Sequence, residues 1–141
     1  MFILDTDHLS FLERGSHPIG DRILARMKNV PDQCFATIIS YEEQTRGWLG
    51  VLAKAKTIVD EIRAYEKLRA QLRNYCSINL LTFDELAATK FQELKRSKIR
   101  IATMDLKIAS ITLARDATLT TRNRSDFVKI PGLKLEDWTK E

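Results

Sequence analysis

Apolar residues fall along the chain in two rhythms. Short unbroken runs appear at 2–4 (FIL), 34–39 (CFATII), 77–83 (SINLLTF) and 117–121 (ATLTT), with a fifth possible run at 133–136 (LKLE). Runs of this length bounded by polar residues read as strands buried on both faces. Between them apolar residues recur three and four apart, the helical period. The spacing predicts a helix over 7–14 with Leu9, Phe11 and Leu12 on its inner face and Thr6 or Asp7 as N-cap. After a loop at 14–21, Pro18 opens a second helix reaching about Lys28. Ser40 can cap the helix that follows strand 34–39. The longest predicted helix, 53–76, carries Ile58, Ile62, Tyr65, Leu68, Leu72 and Tyr75 as one apolar stripe, with mixed charge opposite. Two more are expected, from Asp84 to about Lys98 and from about Met104 to Arg115.

Short strands alternating with helices predict a single α/β domain over 1–141, built on a mostly parallel sheet. No repeat or linker divides it. Ligands of such sheets gather beyond the carboxyl ends of the strands, near a switch in strand order. Composition changes this picture little: 44% hydrophobic and 30% charged residues are ordinary for a globular domain. No apolar run approaches the roughly 20 residues of a membrane span, and Phe2–Leu4 is too short for a signal peptide. A cytoplasmic protein with no membrane partner is expected. Cys34 and Cys76 form no Cys-x-x-Cys pair and read as small buried hydrophobes. His8 and His17 have no cysteine nearby for a zinc site.

Charge adds more. The net charge is +4 and the pI 9.2, a balance that favours a polyanionic partner. Acids nevertheless collect just after strands or at helix starts: Asp5 with Asp7, Glu42 and Glu43, Asp105, and Asp126. Each alone has a plain structural explanation, because acids at helix N-termini gain about 0.3–1 kcal/mol. Together in a parallel sheet they would face one edge. Two unit charges ~4 Å apart repel by about 4 kcal/mol at an effective dielectric near 20, so such a cluster calls for divalent cations. Oxygen ligands suit Mg²⁺, and a bound divalent cation activates water and stabilises a phosphoryl transition state. The chemistry suggested is metal-assisted phosphodiester hydrolysis. Arg46, Arg122 and Arg124 stand beside these acids and suit phosphate contacts, or are exposed residues with no specific partner. Thr121 and Asn123 can orient a water or a carboxylate, or cap the turn.

With these residues in view, the sequence resembles PIN-domain proteins, specifically the VapC-type toxins of bacterial type II toxin–antitoxin pairs. The resemblance spans nearly the whole chain. It rests on ILDTDHLSFLERG, on EQTRG in place of the usual E-L-x-x-G, on DLKIASITLARDATLTTRNRSDF, and on IPGLKLEDW. It implies a three-layer α/β/α sandwich and Mg²⁺-dependent endoribonuclease activity, with Mn²⁺ able to substitute. Carried over by position, Asp5, Glu43, Asp105 and Asp126 are the metal-binding, catalytic acids, with Glu42 a rival to Glu43 because Gln44 replaces the customary leucine. Asn123 takes the family's polar position in T-R-N-x-x-D-F. Asp7 replaces the asparagine of D-T-N; it reads either as an outer group that tightens metal binding or as a plain N-cap. The family also implies a homodimer held inactive by a small VapB-type antitoxin. Helix 53–76 and Trp48 are candidates for either contact, Trp48 equally for the core; Trp138 reads as structural. His8 can pack or cap within the first helix and is not needed as a base.

Two other readings compete. Hydrophobic residues followed by D-x-D also open haloacid dehalogenase-like phosphatases, in which Asp5 would be a nucleophile. A PIN-like module could instead hold RNA or protein without cutting, although all four acid positions are filled.

Overall fold

The computed structural model describes residues 1–15 and 17–141. Its elements run β1 (Phe2–Leu4), α1 (Thr6–Glu13), α2 (Pro18–Asn29), β2 (Cys34–Thr37), α3 (Ile38–Lys54), α4 (Ile58–Ser77), β3 (Asn79–Leu81), α5 (Glu85–Arg96), α6 (Thr103–Ala114), β4 (Thr118–Thr120), α7 (Arg124–Phe127) and β5 (Lys134–Glu136). The five strands pair in parallel in the order β3-β2-β1-β4-β5. The chain builds outward from β1 to β3 on one side, then crosses back to add β4 and β5 on the other. The switch in strand order therefore lies between β1 and β4.

Alternation along each strand divides the core into two layers. Ile3 of β1, Leu119 of β4 and Leu81 of β3 join Ala87 and Leu94 of α5 and Leu106, Ile108 and Ile111 of α6. Leu4, Cys34 and Ala36 face the opposite way, onto Leu9 and Phe11 of α1, Ile23 of α2, Tyr75 of α4 and Trp138. The result is the expected three-layer sandwich. Helix α6 is buried through most of its length, from Leu106 to Thr112, and there Ser110 and Thr112 donate their hydroxyls back to the carbonyls of Leu106 and Ile108. Gly20 lets α2 lie against the end of α1, for a Cβ there would stand 2.6 Å from the Phe11 carbonyl oxygen.

Several expectations are corrected. Helix α1 is capped by Asp5, not by Thr6 or Asp7: the Asp5 carboxylate accepts from the His8 N–H. Strand β2 stops at Thr37, whose hydroxyl accepts from the Ser40 N–H, so Thr37 and not Ser40 caps α3. Glu43 consequently lies in the second turn of α3, beyond the reach of the helix N-terminus. The predicted helix 53–76 is broken near its start. Lys54 ends α3, Ala55 and Thr57 are extended, and Thr57 caps α4. The apolar stripe of α4 faces outward at Ile58, Ile62, Tyr65 and Leu72, while Ala64, Gln71 and Tyr75 face inward. Periodicity reports one apolar face, but not whether that face meets the core or a partner. Cys34 is buried as expected; Cys76 is exposed. Trp138 is buried and Trp48 half-buried.

Candidate acidic site at the carboxyl edge of the sheet

Residues immediately following β1 and β4 face each other across the switch point. Asp5 leaves β1 with its N–H donating to the Thr120 carbonyl, 3.1 Å away. Its buried side chain receives two donors on Oδ1: the His8 N–H at 2.9 Å and the His8 Nδ1 at 3.0 Å. Thr6 reaches across to α3, where its hydroxyl donates to Glu43 Oε1 at 2.7 Å and lies 2.9 Å from the Ser40 hydroxyl. Glu43 thus turns towards β1. Glu42, its rival, turns outward to Arg46, which holds it at 2.6 Å.

After β4, the buried Thr121 accepts the Asn123 N–H on its hydroxyl at 2.9 Å. That turn presents the Asn123 amide, whose Nδ2 donates to Asp126 Oδ2, also at 2.9 Å. Lys129 stands 3.5 Å from the other carboxylate oxygen. The Asn123 hydrogen bond and the nearby Lys129 hold the Asp126 carboxyl below its usual range despite some desolvation. Asn123 therefore orients a carboxylate; it makes no side-chain cap for α7.

Asp105, in the first turn of α6, completes the group. Burial pushes its carboxyl up to about 6, reinforced by the charges of Glu43, Asp5, Asp126 and Asp7. Glu43 is also raised, first by burial and then, against its Thr6 hydrogen bond, by Asp7, Asp5 and Glu42. The acids after β1, in α3, in α6 and after β4 thus lie within electrostatic reach of one another. They do not form a closed cage: among the described residues, no three His, Cys, Asp or Glu side chains stand together at metal-binding distance. Asp5, Glu43 and Asp126 are instead held by His8, Thr6 and Asn123. Asp7 is exposed and is not the N-cap.

The arginines are placed less uniformly. Arg122 is exposed and lies with its guanidinium 5.2 Å from the centre of the Phe11 ring, which Arg14 also covers at 4.6 Å. Arg124 is exposed at the start of α7. Arg46 is exposed and occupied by Glu42. Sequence reasoning missed the part played by His8. It is fully buried, with Nδ1 on Asp5 and Nε2 accepting the Trp138 N–H at 3.2 Å. The one available signal was its position three residues beyond Asp5.

Two grooves flank α4. One is lined by Leu9, Leu12, Met27, Tyr75 and Ile78; the other by Gln44, Trp48, Val51, Lys67 and Gln71. Among the described residues, no helix is long and apolar enough to cross a membrane.

The sequence matches no family model. It is 28% identical over 145 aligned positions to Ribonuclease VapC1 of Haemophilus influenzae strain R2866, an alignment covering 99% of each chain. The fold superposes on a chain in the structure of VapBC-1 from nontypeable Haemophilus influenzae with a TM-score of 0.76, at 25% identity, covering 99% of this chain and 98% of that one. A chain in the Rickettsia felis VapBC2 structure, bound to a DNA fragment from its promoter, superposes with a TM-score of 0.72 at 23% identity, covering 97% and 98%.

Proposed function

We propose, taking as premise that the chain is a VapC-type protein, that it is the toxin of a toxin–antitoxin pair and a divalent-cation-dependent endoribonuclease. The observation that carries this reading is the gathering of Asp5, Glu43, Asp105 and Asp126 at one edge of a parallel sheet, where burial first and neighbouring acids second raise the carboxyls of Asp105 and Glu43. An all-oxygen set of mutually repelling carboxylates suits Mg²⁺, with Mn²⁺ as a substitute. Those four residues would hold the cation. When bound, it supplies an activated water and charge stabilisation at the scissile phosphate.

The chain's own residues do the rest. Thr6 orients Glu43, and Asn123 orients Asp126, each through one hydrogen bond. Arg122 and Arg124, exposed beside Asp126, meet the phosphates of an RNA strand, with Arg46 joining them if it leaves Glu42. Asp7 adds negative charge at the rim and tightens cation binding. The exposed stripe of α4 and its flanking grooves are surfaces for the VapB-type antitoxin and for a second copy of the chain, because large apolar patches left in water mark interaction sites.

Incubation of purified protein with single-stranded RNA tests this. Cleavage is expected with Mg²⁺ or Mn²⁺, none with EDTA, and a loss of at least about 100-fold in Asp5→Asn and Asp105→Asn, in keeping with removal of a catalytic group. Undiminished cleavage in EDTA, or by both variants, would refute the reading. A phosphoaspartyl enzyme trapped on Asp5 would replace it with the phosphatase mechanism.

A further inference from the structure

His8 is a polar side chain beside the acids that is fully buried, with no exposed surface. A buried imidazole needs partners for both nitrogens, and here both are supplied. The Trp138 backbone N–H can only donate, so Nε2, 3.2 Å away, is its acceptor and carries no proton. The ring proton of the neutral form therefore sits on Nδ1, where it donates to Asp5 Oδ1 at 3.0 Å. The same oxygen takes the His8 backbone N–H at 2.9 Å. One Asp5 oxygen is thus tied twice within the protein, which fixes the carboxylate's rotation. Trp138 is itself anchored: its indole Nε1 donates to Glu136 at 2.7 Å, and Arg22 holds the adjoining Thr139 carbonyl at 2.9 Å.

We propose that His8 is a positioning residue for the cation site: locked in one tautomer by the Trp138 amide, it holds Asp5 in the rotation that presents the carboxylate to the cation. Groups that orient a metal ligand from behind set metal affinity as well as fold. The inference rests on the reading of Asp5 as a cation ligand. It goes beyond it by making the segment around Trp138 part of the same site.

Three substitutions separate positioning from packing. His8→Asn places its amide nitrogen where Nδ1 stands and keeps the donor to Asp5. His8→Gln can still accept from Trp138 but has no donor at that place. His8→Phe fills the volume with neither. Mn²⁺ binding to each full-length protein is measured by electron paramagnetic resonance, alongside melting temperature and the separation of kcat from KM on RNA. Expected are a Mn²⁺ affinity within about threefold of the original for Asn, and losses of about 10–100-fold for Gln and Phe. The ranking should not follow melting temperature, and kcat should fall with KM nearly unchanged. If Phe does not fold, the Asn–Gln comparison decides. Equal Mn²⁺ affinity in Asn and Gln, at any level, overturns the proposal. Asp5→Asn is the control: Mn²⁺ binding unchanged there would refute the cation reading itself, separately from His8.

Discussion

Removing the charge of Asp105 should stabilise the cation-free protein, and only above a definite pH. Burial and four neighbouring acids raise this carboxyl from 3.8 to about 6. Below pH ~4 the group is protonated both folded and unfolded and contributes nothing to the balance. Between ~4 and ~6 the folded protein holds a proton that the unfolded chain has lost, so stability falls as pH rises. Above ~6 the full penalty is present. The displacement corresponds to about 3 kcal/mol at 1.36 kcal/mol per pH unit. Asp105 is only half-buried, so screening by solvent reduces this to about 1–2 kcal/mol. Loss of the favourable charge at the start of α6 returns about 0.3–1 kcal/mol. Asp105→Asn should therefore be more stable by about 1 kcal/mol at pH 7.5 in EDTA, raising Tm by about 2–4 °C. The gain should vanish by pH ~4. Thermal melts of both proteins across pH 4–8 measure it. A gain independent of pH, or a loss at pH 7.5, would refute the argument that burial and the neighbouring acids together penalise the Asp105 charge.

Other substitutions probe neighbouring features. Gly20→Ala would force its Cβ against the Phe11 carbonyl, costing about 1–3 kcal/mol; a urea midpoint unchanged from the original would show that α1 and α2 can part. Asn123→Ala frees Asp126 from its hydrogen bond, so its carboxyl should rise towards the ordinary range by NMR titration and cleavage should fall by about 10-fold or more. Asp7→Asn should raise the cation-free melting temperature and weaken Mn²⁺ binding; an affinity left unchanged rules out a role for Asp7 at the rim. Cys76→Ser, at an exposed position, should alter stability by no more than about 0.5 kcal/mol, whereas Cys34→Ser buries a hydroxyl beneath β2 and should cost more in the same denaturation assay.

The layered fold was legible because its strands are short apolar runs and its helices carry period, and because parallel strands need crossovers between them. Boundaries were less so where one residue serves two elements. Ile38 and Ile39 continue the apolar run of β2, yet the Thr37 hydroxyl turns the chain into α3 before them. Ala53 and Lys54 suit either helix; the break is set by Thr57, whose capping role is local and leaves the apolar period undisturbed. The choice between Glu42 and Glu43 was open in sequence because neighbours on a helix differ by about 100° in direction. In the structure, Thr6 holds one and Arg46 the other. His8 was read only as a residue that packs or caps, and its link to Trp138 was not legible for another reason. What gives it meaning is an amide 130 positions further along the chain, and no local pattern announces such a partner.

The placement of β1 between β2 and β4 also has a consequence for how the protein is made. Asp5 emerges early in synthesis, but Thr120 bonds back to Ile3 across 117 positions. Helix α6 and the Thr121–Asp126 turn follow only after most of the chain exists. A nascent polypeptide still lacking β4 carries three of the four acids but neither the strand that pairs with β1 on that side nor the turn that bears Asp126. The four acids are thereby brought together only when translation of this chain is nearly over.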